Sequence, residues 1–157
     1  MPGRNSIVLK GQFLRKEAKA TVAVKPGMLV QWDTNYDTVK PCVAIAGAVP
    51  GGASRKAFAL ENDLVGQGVG TSPANSDAYD INDTVQYGIF HRGAEIQALL
   101  ATGNNAAIGA PLVSNGAGNL KLAATTQGAD DEEILGYAAE ALNNSSGSDQ
   151  YIRMEVA

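Results

Sequence analysis

Tyr151-Ile152-Arg153-Met154-Glu155-Val156 sets Ile152, Met154 and Val156 on one side of an extended chain and Tyr151, Arg153 and Glu155 on the other. A period of two with one apolar and one polar face is the pattern of a half-buried strand. The same vocabulary recurs upstream. Gly109-Ala110-Pro111-Leu112-Val113 enters Ser114-Asn115-Gly116-Ala117-Gly118-Asn119 and returns as Leu120-Lys121-Leu122, which is hairpin-loop chemistry between two strands. In Thr84–Phe90 the residues Val85, Tyr87 and Ile89 alternate with polar or small positions. Thr21-Val22-Ala23-Val24 and Met28-Leu29-Val30-Gln31-Trp32 flank Lys25-Pro26-Gly27, and Pro followed by Gly suits the two central positions of a type II turn. Thr38–Ile45, Lys56–Glu61 and Ile134–Ala141 add further strand-like runs. Ala94–Ala101 fits helix or strand by periodicity, its length and position after a turn favouring strand, and Phe13–Ala20 has room for two helical turns. The expected fold is mainly β with little helix: a compact β-barrel or β-sandwich-like domain over residues 21–157, preceded by an extended N-terminal arm, residues 1–20.

An internal echo runs through this pattern. Gly27-Met28-Leu29-Val30, a polar loop, Val39-Lys40 and then Phe58-Ala59-Leu60-Glu61 resemble Gly109-Ala110-Pro111-Leu112-Val113, a polar loop, Leu120-Lys121 and then Tyr137-Ala138-Ala139-Glu140. Two copies of one small β unit would produce it, and so would two unrelated hairpins drawn from a Gly/Ala/Val vocabulary.

Charge divides the chain differently from hydropathy. Six of its twelve basic residues (Arg4, Lys10, Arg15, Lys16, Lys19 and Lys25) lie in the first 25 positions beside one acid, Glu17; the remainder carries six bases against fifteen acids. A leader of +5 therefore precedes a body of −9, which sums to −4. A cationic leader carrying Ile7, Val8, Leu9, Phe13 and Leu14 is suited to lying along another protein's surface. At 157 residues the chain can bury a core without metals or disulfides. No apolar run approaches the ~20 residues of a membrane span, and the opening Met-Pro-Gly-Arg-Asn lacks a secretory signal's apolar core, so a soluble protein and no membrane partner are expected. Cys42 is the single cysteine, flanked by Pro41 and Val43-Ala44-Ile45, and reads as a small buried hydrophobe.

Catalytic constellations fail one by one. His91 is the single histidine, between Phe90 and Arg92-Gly93, which rules out a multi-histidine metal site and reads as a solvated turn residue. Asp77, Asp80 and Asp83 lack the alternating ligands and terminal Glu of a calcium loop and suit turn formation. Gly66-Gln67-Gly68-Val69-Gly70 is followed by no Lys-Ser/Thr and reads as a loop. Asp130–Glu133 and Asn143–Ser146 read as solvated loops. Phe13 alone is too little aromatic surface for base stacking, and the acidic body repels phosphate. No enzyme activity, cofactor, metal or nucleic-acid partner is expected.

Six segments together carry a resemblance: Met1–Ala18 (MPGRNSIVLKGQFLRKEA), Val24–Val30 (VKPGMLV), Phe58–Gly66 (FALENDLVG), Asp83–Gly88 (DTVQYG), Gly93–Leu100 (GAEIQALL) and Gly136–Ala141 (GYAAEA). They resemble the small head decoration, or cement, proteins of tailed bacteriophages. The resemblance implies a β-rich, often trimeric protein on the outer surface of an icosahedral head, clamping neighbouring copies of a major capsid protein of the HK97 type. On that reading the partners are the major capsid protein and further copies of the chain, as a homotrimer, and the location is the virion. The residues assigned to the arm's contact come from the leader's own pattern: Ile7, Val8, Leu9, Phe13 and Leu14 entering apolar grooves, with Arg4, Lys10, Arg15, Lys16 and Lys19 facing acidic patches. A terminal strand folded onto its own body is the alternative for residues 1–20. A tail or fibre accessory component, and a carbohydrate-binding β module using Trp32, Tyr36, Tyr79 or Tyr87, are the alternatives for the whole.

Overall fold

A computed structural model describes residues 7–33, 38–41, 56–61, 78–124, 133–145 and 147–157. Cys42, Tyr36, Asp77, Gly66–Gly70 and Asp130–Glu132, singled out above, lie outside the described residues, as does Arg4. Every regular element among the described residues is a strand. In chain order these are β1 (Val8–Lys10), β2 (Phe13–Ala20), β3 (Val30–Trp32), β4 (Thr38–Pro41), β5 (Ala57–Ala59), β6 (Thr84–Phe90) and β7 (Glu95–Leu100). They continue with β8 (Asn104–Ala106), β9 (Pro111–Ser114), β10 (Leu120–Leu122), β11 (Gly136–Ala138), β12 (Leu142–Asn144) and β13 (Gln150–Val156). The mainly β expectation holds.

The strands form two closed units. In the first, the order β3-β4-β2-β6-β5 is brought round on itself by an antiparallel bridge between Leu29 and Phe58. Hydrogen bonds from Gly27 N–H to Ala59 O (2.8 Å) and from Ala59 N–H to Met28 O (2.8 Å) complete that seam. In the second, β7-β10-β9-β11-β13 closes because β13 also pairs with β7, from Gln150 opposite Leu100 to Glu155 opposite Glu95. β1 lies antiparallel against the β7 edge, Val8 opposite Ile96, and β8 pairs with β12 as a separate ribbon.

The two rings repeat one topology. β2, β3, β4, β5 and β6 correspond to β7, β9, β10, β11 and β13, including the parallel pair in each, β2 with β4 and β7 with β10. The correspondence extends to single hydrogen bonds. Gly109 N–H to Ala138 O and Ala138 N–H to Ala110 O match the two seam bonds of the first ring, and Ala101 N–H to Leu120 O matches Thr21 N–H to Val39 O. Leu60 N–H to Gln86 O has its counterpart in Ala139 N–H to Arg153 O. The sequence echo is thus a structural repeat, with one change of register: Leu29 and Val30 correspond to Pro111 and Leu112, so the extra residue allowed in Gly109–Val113 is not an insertion.

The interior of the first barrel holds Ala18, Ala20, Val30, Val39, Ala57, Ala59, Tyr79, Val85 and Tyr87. Alternation decides which side each residue serves: Ala57 and Ala59 face that interior, while Phe58 between them joins the core of the second barrel with Leu29, Leu60 and Phe90. That second core contains Ile96, Ala98, Leu100, Leu112, Leu120, Ala138, Ile152 and Met154. Ile152, Met154 and Val156 are buried and Glu155 is exposed, as the alternation of β13 requires.

Other readings change. Phe13–Ala20 is a strand, not helical turns, because it pairs residue by residue with β6 from Phe13–Phe90 to Lys19–Thr84. Val24 and Leu29, either side of the Pro26-Gly27 turn, pair with Tyr79 and Phe58 and not with each other. The turn itself is as expected: Met28 N–H donates to Lys25 O at 3.1 Å and Gly27 has φ +81°. Asn143 and Asn144, read as loop, lie in β12; Asn144 is fully buried and donates through Nδ2 to Leu100 O at 2.9 Å.

Candidate interaction surface

The leader residues are divided between core and surface by strand pairing. Ile7 is buried in the second core, where its N–H donates to Glu61 Oε1, and Val8 packs against the same core. Phe13 stacks on Phe90 with ring centroids 5.1 Å apart, and Phe90 meets Phe58 edge-on at 6.1 Å. These apolar residues hold the two barrels and β1 together. The terminal-strand alternative for residues 1–20 describes Val8–Lys10 and Phe13–Ala20 as they stand here. Leu9 and Lys16 are half-buried, whereas Lys10, Leu14 and Arg15 are exposed, Leu14 at 55%. Lys10 lies 4.0 Å from Glu95, an exposed pairing of little energetic consequence. Glu17 and Lys19 continue the exposed row along β2. On β2 this leaves Arg15, Glu17 and Lys19 exposed on one face of the strand and Leu14 on the other, while Lys10 lies on β1 beside the second barrel.

Of the described aromatics considered for sugar stacking, Tyr79 and Tyr87 are internal and Trp32 is half-buried. Tyr79 is 1% exposed and its hydroxyl donates toward Leu60 O and Glu61 O, while Tyr87 is buried and its hydroxyl accepts from Trp32 Nε1 at 3.3 Å. Neither tyrosine presents a ring face to solvent. His91 is an exposed turn residue whose carbonyl accepts from Ala94 N–H. It borders an open concavity of about 530 Å³ with Lys56, Ile89, Phe90, Arg92, Glu133 and Ala157, in which Lys56 Nζ donates to Ala157 O. Asp80 and Asp83 form a turn, Asp80 N–H donating to Asp83 Oδ2 at 2.9 Å and Asp83 N–H to Asp80 O at 3.0 Å. Among the described residues no three His, Cys, Asp or Glu side chains gather as metal ligands. Among those residues no helix is long and apolar enough to cross a membrane.

Residues not singled out from sequence also reach the surface. Ile108 is 73% exposed, Tyr137 43%, and Ile81 and Ile134 are exposed as well. Tyr137 sits opposite Pro111 across the β11–β9 pair, and Ile108 precedes Gly109 at the head of β9. Alternation in β11 and β9 could have flagged Tyr137; nothing in the sequence separates Ile108 from a core isoleucine.

No family model matches this chain, and no curated protein matches it. Its fold is similar to that of the head fiber gp8.5 N base in bacteriophage phi29, seen in a crystal structure. The likeness has a TM-score of 0.53 at 16% sequence identity and covers 93% of this chain and 95% of that one.

Proposed function

We propose that this protein is a non-catalytic structural component of a tailed-phage virion, which binds the outer surface of the icosahedral head and stabilises it by bridging neighbouring major capsid protein subunits. The observation that supports this most is the end-to-end likeness to the base of a phage head fibre, both barrels included, in a chain whose sequence independently resembles head decoration proteins. The exposed bases Lys10 and Arg15 and, on the opposite face of β2 from Arg15, the exposed Leu14 are the contact residues of this reading. A shell strained by packaged DNA gains from many identical weak contacts, since each added contact is effectively intramolecular once the first has formed. Leu14, 55% exposed, supplies apolar area worth about 1 to 1.5 kcal/mol when the remainder is buried. The bases steer approach to acidic capsid patches.

A head-fibre base is the second reading, favoured by the same likeness, and differs in carrying a distal appendage in place of bridging subunits. Shells assembled without the protein separate the two. Added back, a bridging protein raises the temperature at which shells release DNA, whereas a fibre base binds and leaves that temperature unchanged. Absence of any binding would remove both.

A further inference from the structure

The repeat allows each surface of one barrel to be compared with its counterpart on the other. The first barrel docks on the second through its turn and adjoining outer face. Leu99 N–H donates to Gly27 O at 3.1 Å, Tyr151 OH donates to Pro26 O at 3.0 Å, and Leu29 N–H donates to Gly118 O at 2.8 Å. Phe58 and Leu29 are buried at 0% and 1% in this junction. By register, the counterparts of Pro26, Gly27, Leu29 and Phe58 on the second barrel are Ile108, Gly109, Pro111 and Tyr137. There the docking face is bare: Ile108 is 73% exposed against a buried Pro26, and Tyr137 43% against Phe58's 0%. A Cβ placed on Gly27 would lie 2.8 Å from the Tyr151 ring, whereas one on Gly109 would meet nothing within 4 Å.

The receiving face is likewise occupied once and vacant once. On the second barrel, Gln97 and Leu99 are buried at 7% and 1%. Their counterparts on the first barrel, Glu17 and Lys19, are exposed, as is Thr84, the counterpart of Tyr151. Among the described residues, each chain therefore has an unused docking face on its second barrel and an unused receiving face on its first.

We infer that a second copy of this chain docks there: Ile108, Pro111 and Tyr137 of one copy sit against the β2–β6 face, at Glu17, Lys19 and Thr84, of the next. Charge favours this pairing over a symmetric one. Residues 1–90 carry nine bases and eight acids, +1, while residues 91–157 carry three bases and eight acids, −5, together the chain's −4. Two second barrels repel each other, whereas Lys19 meets a tyrosine ring with Glu155 opposite Tyr137 in the neighbouring strand. The lysine stem covers apolar surface while its ammonium remains solvated. Such a contact is heterologous, so it generates a ring where the rotation closes and a filament where it does not. This deepens the self-association expected of a decoration protein, while its test needs no capsid.

Sedimentation of the full chain tests it. The wild-type mass should rise with concentration above that of a single 16.2 kDa chain. I108D combined with Y137D should weaken association about tenfold or more, because anchors at the centre of an interface carry most of its affinity. K19E should do the same from the other side, with thermal unfolding of both variants cooperative and close to wild type. Mixing the two defective proteins leaves one intact docking face and one intact receiving face, so a heterodimer should form. A wild-type chain that stays monomeric, a mass unchanged in I108D/Y137D, or no heterodimer on mixing would overturn the inference. Failure to bind heads with self-association intact would instead count against the capsid reading alone.

Discussion

Gly27 and Gly109 occupy matching turns with the same φ, +81°, yet their surroundings differ. Alanine at Gly109 meets only the backbone penalty of a left-handed conformation, about 1 kcal/mol. Alanine at Gly27 adds a clash with Tyr151 and Gln97 O, so Gly27→Ala should cost at least about 2 kcal/mol in urea unfolding, and equal costs at both positions would contradict the asymmetry of the two turns. Tyr79 gives a second residue-scale test. Its buried hydroxyl lies 2.8 Å from Glu61 O and 3.1 Å from Leu60 O. Tyr79→Phe keeps the ring and leaves those carbonyls short of a donor, a loss of about 1 to 2 kcal/mol by the same measurement. Residues that declare a backbone need or a clean alternation, Gly27 and Ile152 among them, were legible in the sequence. Asn144 was not, because its reason for burial is a carbonyl supplied by Leu100, 44 positions away.

At the scale of elements, what hid β2 from the sequence is its partner. FLRKEAKA carries four charges and no alternating apolar set, and it is held as a strand by seven paired residues of β6. Small Ala18 and Ala20 fit a barrel interior already filled by Tyr79 and Tyr87. β7 was ambiguous for the opposite reason: a strand buried over Ile96–Leu100 shows no period of two. The place of β2 also alters how the leader should be tested. Deleting residues 2–19 removes a central strand of the first barrel, so that truncation should abolish cooperative unfolding of this unit by calorimetry; a truncated chain with native-like unfolding would show β2 to be dispensable. Substitutions at exposed leader residues avoid the problem. With Ile7, Val8 and Phe13 committed to the chain's own cores, the bases carry a larger share of any contact than the leader's composition suggested. K10E with R15E should therefore slow capture by heads strongly at low salt and little at high salt, where charges beyond ~10 Å are screened. An effect independent of salt would assign those residues a packing role.

For the molecule as a whole, the repeat was half-visible as a faint echo whose meaning depended on pairing. Ala18/Ala98, Gly27/Gly109, Lys40/Lys121, Ala59/Ala138 and Glu61/Glu140 are the matching residues that survive in register, too few to separate duplication from shared vocabulary. The hydrogen-bond pattern supplies what sequence similarity does not. A mainly β fold could be read from alternation and turns; closure into two barrels could not, since it depends on β13 meeting β7 and on Leu29 meeting Phe58. The charge of the sequence also divides with the repeat, residues 1–90 summing to +1 and residues 91–157 to −5. The most direct test of the account is co-sedimentation of the purified chain with expanded phage heads that lack it, with thermal release of DNA followed on the same particles. The account predicts saturable binding and release at a higher temperature, both lost with L14D; a chain left in the supernatant, or bound without any shift in release, would contradict bridging of the shell.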